Sequence, residues 1–117
     1  MRLISCLFIV YFSLVTPVAH SAEMEGYSTV LRVEYVLECM RDREGSRYEM
    51  MNKCSCVLDR LAAIYNANEF VDAWTTSKAI TISGERGAAL RDNEQAKQVA
   101  LAFRDSVKLA ESDCFLR

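Results

Sequence analysis

A length of 117 residues, with 14 basic and 16 acidic side chains, suffices for a small domain of nearly balanced charge. Because the charges are interspersed, the chain lacks the basic surface that binds nucleic acids or anionic membranes. The single proline and four glycines indicate helices joined by short turns.

The first 22 residues have the three parts of a secretory signal peptide. Arg2 supplies the positive charge, residues 3–18 form the apolar run, and small residues around Ser21 and Ala22 mark two possible cleavage sites. The apolar run is shorter than the ~20 residues of a membrane-spanning helix, and Pro17 closes it. We therefore predict export to the periplasm and one soluble domain over residues 23–117.

Removal of this signal changes the inventory of reactive groups. It takes away His20, the only histidine, and so excludes nucleophiles, bases and metal sites that depend on histidine. It also takes away Arg2, which leaves 13 basic against 16 acidic side chains and a net charge of −3. Four cysteines remain, namely Cys39, Cys54, Cys56 and Cys114.

Two helices are predicted in the first half of the domain. The first spans residues 28–41, with an apolar stripe at three- and four-residue spacing made of Val30, Val33, Val36, Leu37 and Met40. After a break at Gly45, Ser46 and Glu49 form a capping box that starts the second helix. Its apolar face contains Met50, Met51, Cys54, Val57, Leu58, Leu61 and Tyr65.

Two more helices complete the prediction. Asn66 or Asn68 caps a third helix over residues 69–81, which turns Phe70, Ala73, Trp74 and Ile80 inward. Residues 84–87 are predicted as a loop, and Asp92 with Gln95 forms a capping box for the last helix. Its stripe contains Ala96, Val99, Phe103, Val107, Ala110 and Cys114. The predicted fold is an all-α, four-helix bundle stapled by disulfides.

Cys54 and Cys56 lie about 200° apart around one helix, so they require different partners. Matching of helix faces favours Cys39–Cys56 with Cys54–Cys114, and we favour this pairing. Loop length favours Cys39–Cys54 with Cys56–Cys114, which remains open. Structural disulfides are expected in an exported domain of this size. A four-thiolate zinc site would need converging cysteines, and a redox pair would need a Cys-x-x-Cys motif, which is absent.

Three other residues are candidates for binding. Arg86 and Arg91 flank a glycine-containing loop where a carboxylate or phosphate would find guanidinium groups, although a solvated turn paired with Glu85 and Asp92 is the alternative. Trp74 is either an interface anchor or a large core residue. We predict no catalytic residue, no cofactor and no metal ligand.

Several short segments resemble a group of small exported helical proteins encoded near periplasmic quinoprotein (pyrroloquinoline quinone) alcohol dehydrogenases and their cytochromes c. The similarity covers residues 35–114 and rests on Tyr35-Val36-Leu37-Glu38-Cys39-Met40, Tyr48, Lys53-Cys54-Ser55-Cys56, Asp59 and Gly84-Glu85-Arg86. The resemblance implies an accessory protein of a periplasmic oxidation system, with no catalytic residues of its own.

Together these observations favour a non-catalytic protein that binds a protein partner. One alternative is a periplasmic immunity or inhibitor protein that neutralises a toxin enzyme, since a rigid surface lowers the cost of binding. Another is a small stress chaperone, in which carboxylates would have to act as the acid trigger. An enzymatic function would rest only on a thiol-redox role.

Overall fold

The computed structural model describes residues 26–117, so the predicted signal peptide, residues 1–22, lies outside the described part. Within these residues the chain forms five helices and no strand, which confirms the all-α prediction. The helices are α1 (Thr29–Met40), α2 (Arg47–Ala62), α3 (Ala67–Ala79), α4 (Glu85–Asp92) and α5 (Glu94–Asp113). The short α4 is an addition to the predicted four helices, and it begins where a loop was predicted.

The helix starts follow the capping residues of the sequence. The Ser46 hydroxyl accepts from the Glu49 amide as predicted, but the Glu49 carboxylate pairs with Lys53 at 2.7 Å. The complete capping box belongs to α3, where Asn66 and Glu69 each accept from the other's backbone amide. Both ends of such a box satisfy amides that have no partner inside the helix.

The predicted capping residue of the last helix is wrong by one position. Asn93, not Asp92, caps α5 by accepting from the amide of Ala96. Asp92 instead closes α4, so the two helices are separated by a single residue. The sequence pattern does not reveal this tight junction, because α4 has almost no apolar stripe that would mark it as a helix.

Helix α2 lies at the centre of the bundle, where it contacts α1, α3 and α5. It contributes Cys54, Val57, Leu58 and Leu61, which are fully or almost fully buried. Opposite them Phe70 of α3 packs against four aromatic rings, those of Tyr27, Tyr35, Trp74 and Phe103. Aromatic contacts therefore join α1, α3 and α5 around the aliphatic face of α2.

Helix α1 turns a different face inward from the one predicted. Its buried side is formed by Leu31, Tyr35 and Cys39, which are four residues apart and so lie above one another. Of the predicted stripe, only Val36 and Met40 pack against the core. The other three members are largely exposed, namely Val30 at 66%, Val33 at 50% and Leu37 at 55%. The large Tyr35 ring and the disulfide at Cys39 decide which face is buried.

The four cysteines form two disulfides, as predicted, but the favoured pairing is wrong. The bridges join Cys39 to Cys54 and Cys56 to Cys114, which is the alternative that loop length favoured. Cys39 lies on the inward face of α1, so it meets the buried Cys54 across the turn at Gly45. Cys56, two residues further along α2, is directed towards the end of α5 instead. Gly45 has a φ of 140°, a conformation that other residues rarely adopt.

Between residues 26 and 117, none of the helices combines the length and the apolar character that crossing a bilayer requires.

Candidate functional site

An apolar groove lies between α1 and α2 on the outer side of this helix pair. Its volume is about 640 Å³. The lining residues are Arg32, Val33, Val36, Leu37, Met40, Arg47, Tyr48, Met51 and Ser55. Most of this surface is aliphatic or aromatic, so the groove exposes apolar area that a small domain would normally bury.

The spacing of the groove residues is that of helices that pack against a further helix. On α1 the groove residues Val33, Leu37 and Met40 and the exposed Val30, which precedes them outside the groove lining, follow each other at intervals of three, four and three residues. Such a seven-residue repeat keeps one seam of a helix turned towards its partner. Among the described residues no helix covers this seam.

A disulfide and two helix caps fix the helices that form the groove. The Cys39–Cys54 disulfide fixes α1 against α2 next to the groove residue Met40. Ser46 and Ser28 cap the starts of the two helices, so neither helix depends on a ligand to form. A partner would therefore find a largely preformed surface, which lowers the cost of binding.

The two charged residues that line the groove are both arginines, although the chain as a whole carries a net negative charge. Arg47 is the first residue of α2 and lies beside the turn at Gly45. Arg32 lies towards the opposite end, because α1 and α2 run antiparallel, and its Nε donates to the Tyr27 carbonyl at 3.1 Å. The groove is thus an apolar seam with a positive charge towards each end.

A second cavity, of about 370 Å³, lies among α1, α3 and α5. Three aromatic side chains line it, Tyr35 from α1, Trp74 from α3 and Phe103 from α5. The Tyr35 and Trp74 rings meet edge to face with their centroids 5.5 Å apart. This aromatic wall is continuous with the core through Phe70.

Ion pairs between distant parts of the chain brace the rim of this aromatic cavity. Arg43 pairs with Glu111 of α5, and Lys78 of α3 pairs with Glu38 of α1. The Lys78 ammonium also lies 3.9 Å from the centroid of the Trp74 ring, in a cation–π contact. Each pair ties together elements at least forty residues apart, so the cavity walls are joined on two sides.

The charges around the aromatic cavity do not balance. Four cationic and two acidic residues line it, and Glu38 and Glu111 are both paired with cations. Arg104 donates one N–H to the Ser77 carbonyl at 3.2 Å, and Lys108 approaches only Asp105, at 3.9 Å on the exposed surface. Burial raises the pKa of the Tyr35 hydroxyl, and the nearby Glu111 raises it further, so this hydroxyl stays neutral and able to donate.

The structure separates the three predicted binding residues. Trp74 is half-buried: it packs on Phe70, as expected of a core residue, and it also lines the aromatic cavity. Arg91 donates to the carbonyls of Ile82 and Gly84, so its guanidinium closes the loop before α4. Arg86 is exposed on α4, and neither arginine lines the groove or the aromatic cavity.

Sequence reasoning missed the groove and most of the aromatic cavity. The groove could have been predicted, because the apolar stripe of α1 contributes to its lining. The sequence pattern alone, however, predicts that this stripe faces the core. Little in the sequence indicates the aromatic cavity, because its residues come from three helices and meet only in the folded structure.

Residues 26–117 contain no group of three or more His, Cys, Asp or Glu side chains placed to hold a metal ion. Comparisons of the chain with protein-family models, with curated proteins and with solved structures each find no match. The function is therefore inferred from the geometry of the groove and of the aromatic cavity.

Proposed function

We propose that this chain is a periplasmic accessory protein that binds a protein partner and catalyses no reaction of its own. The observation that carries this proposal is the preformed apolar groove between α1 and α2. The signal-like first 22 residues and the two disulfides support an exported, oxidising location. The resemblance to proteins encoded near quinoprotein alcohol dehydrogenases suggests the system in which the partner is found.

The occupant that best fits the groove is an amphipathic helix of the partner protein, with a carboxylate at one end of its apolar face. The three-four-three spacing on α1 matches the way in which helices receive another helix. Val30 and Met40 are ten residues apart, so the seam is about three helical turns long. A carboxylate on the partner helix would complement Arg47.

A second copy of this chain fits the same surface less well. In a two-fold dimer the same patch meets itself, so both Arg47 side chains would be brought into one interface. The lining of the groove contains no acidic residue to compensate them. Like charges in an interface oppose association, and this favours a different, acidic partner.

Co-purification from the periplasm with a matched pair of surface variants tests the proposal. Leu37 lies in the groove and is 55% exposed, whereas Leu109 lies on α5 outside it and is 62% exposed. We expect Leu37→Ser to reduce recovery of a quinoprotein dehydrogenase or its cytochrome at least tenfold, and Leu109→Ser to leave recovery unchanged. Both variants replace an exposed helical leucine by serine, so the cost to folding is similar.

Two results would contradict the proposal. A chain recovered only as a free monomer from cells grown on alcohol would remove the accessory role. Recovery of a toxin enzyme that the chain inhibits would replace that role by the immunity function.

A further inference from the structure

We infer that the aromatic cavity among α1, α3 and α5 binds a small aromatic carboxylate. This site is separate from the α1–α2 groove, and it does not depend on the proposed partner. The inference rests on three features of the cavity, namely its size and aromatic wall, its unbalanced positive charge and its braced rim.

The size and the wall suit a compact ring. A volume of about 370 Å³ is within the range of small-molecule sites, roughly 300–1,000 Å³. Lys78 covers one face of the Trp74 ring, so a ligand ring would pack mainly on the remaining part of Trp74 and touch the buried Tyr35 and Phe103 rings, 6% and 3% exposed, at their edges. Edge-to-face and offset contacts with three rings favour an aromatic over an aliphatic body.

The charge distribution selects the head group. Glu38 and Glu111 are already paired with Lys78 and Arg43, whereas Lys108 has only a long, exposed contact of 3.9 Å with Asp105 among the described residues. Arg104 and Lys108 are therefore the cations of the cavity that a ligand can reach. Arg104 uses one of its five N–H donors on the Ser77 carbonyl, so a fork of donors is still available for a carboxylate. A neutral ligand would gain less from these two groups, because hydrogen bonds between opposite charges are stronger than those to a neutral carbonyl.

The rim makes the site ready for a ligand. The Arg43–Glu111 pair joins the end of α1 to α5, and the Lys78–Glu38 pair joins α3 to α1. Cys39, which also lines the cavity, is fixed to α2 by its disulfide. Side chains already held in place lose little entropy when a ligand binds.

Trp74 offers a local readout, because it is the only tryptophan of the chain and it lines this cavity. The probes are benzoate, its neutral counterpart benzamide, and the aliphatic hexanoate, with affinity measured by calorimetry and location by Trp74 fluorescence. We expect benzoate to give a saturable change in Trp74 emission, with a dissociation constant on the order of 1 mM for so small a ligand. Benzamide and hexanoate should bind at least tenfold more weakly.

Paired charge variants complete the test. Arg104→Gln with Lys108→Gln should weaken benzoate binding at least tenfold, whereas Arg60→Gln with Arg86→Gln, outside the cavity, should not. Both double variants change the net charge by the same amount. Lys108→Gln alone, at a side chain that is 77% exposed, should weaken binding without affecting the fold.

Three outcomes would overturn the inference: no saturable signal with benzoate, equal binding of benzamide, or equal weakening in both double variants. Leu37→Ser should retain benzoate binding, so failure of the groove proposal and failure of this inference give different results.

Discussion

At the scale of single residues, Arg86 and Arg91 show that two arginines five residues apart can have different structural roles. Arg91 donates to the Ile82 carbonyl and, at 3.0 Å, to the Gly84 carbonyl, and so holds the loop against the start of α4. Gly87 lies beneath this contact, where a Cβ would collide with the Ile82 carbonyl oxygen. Arg86, one residue before Gly87, is exposed. The loop is thus shaped by a structural contact at Arg91.

This difference predicts unequal effects of two alanine substitutions. Arg91→Ala removes two hydrogen bonds from a charged donor, and we expect it to lower the free energy of unfolding by about 1–2 kcal/mol. Arg86→Ala should change that free energy by no more than ~0.5 kcal/mol, as is usual for exposed positions. Urea unfolding of both variants measures the difference, and equal losses would contradict the role given to Arg91.

At the scale of elements, the pairing of α1 with α2 depends on which face of α1 is buried. Its predicted stripe and its observed inward face both contain apolar residues, so the pattern on α1 alone does not decide between them. Tyr35 decides, because its ring packs on Phe70 and Trp74 and no residue of the predicted stripe is as large. Cys39, one turn further on, then faces Cys54.

The disulfide pairing predicts the identity of one free thiol. In a Cys114→Ala variant the observed pairing leaves Cys56 free, whereas the pairing favoured by helix faces would leave Cys54 free. We expect alkylation of the unreduced, denatured variant followed by fragment mass analysis to find the label on Cys56. A label on Cys54 would disprove the pairing.

The loss of stability in the Cys114→Ala variant can be estimated from the lengths of the two disulfide loops. The Cys56–Cys114 bridge spans 58 positions in sequence and the Cys39–Cys54 bridge spans 15. Loop-closure entropy gives about 4 and 3 kcal/mol for these bridges. Loss of the longer bridge should therefore cost a large part of the stability of a domain this small.

At the scale of the whole molecule, the buried Tyr27 links parts of the chain that are distant in sequence. The Tyr27 hydroxyl donates to the Tyr65 carbonyl at 2.9 Å and so ties the segment before α1 to the end of α2. Burial, with a smaller contribution from the nearby Glu69, raises the pKa of Tyr27 from 10.0 to about 12. The folded chain therefore holds the Tyr27 proton at a pH where the unfolded chain has lost it.

The fold should consequently become less stable in alkaline solution. The contribution of Tyr27 is fully present below pH 10 and is lost as the pH rises towards about 12, because over this range the unfolded state binds fewer protons. Unfolding measured across this range should show the decline, with a shallower slope in Tyr27→Phe.

Tyr48→Phe provides the control, since Tyr48 is 74% exposed, and it should keep the slope of the parent protein. An unchanged slope in Tyr27→Phe would contradict the assignment to Tyr27.

Many structural features of this protein could be predicted from its sequence alone. The helical class, the approximate positions of four helices and the joining of all four cysteines depend on local spacing and capping, which are properties of neighbouring residues. Even the groove was present as a pattern on α1, although its position relative to the core was not.

Only the tertiary structure decided which face of α1 is buried, which cysteines pair and which charges surround Trp74. On α1 apolar residues occupy more than one face, and the choice between them depends on the fit of Tyr35 against α3. The aromatic cavity likewise brings together Tyr35, Trp74 and Arg104 from three helices. Contacts between residues so far apart in sequence depend on packing, and no local pattern specifies them.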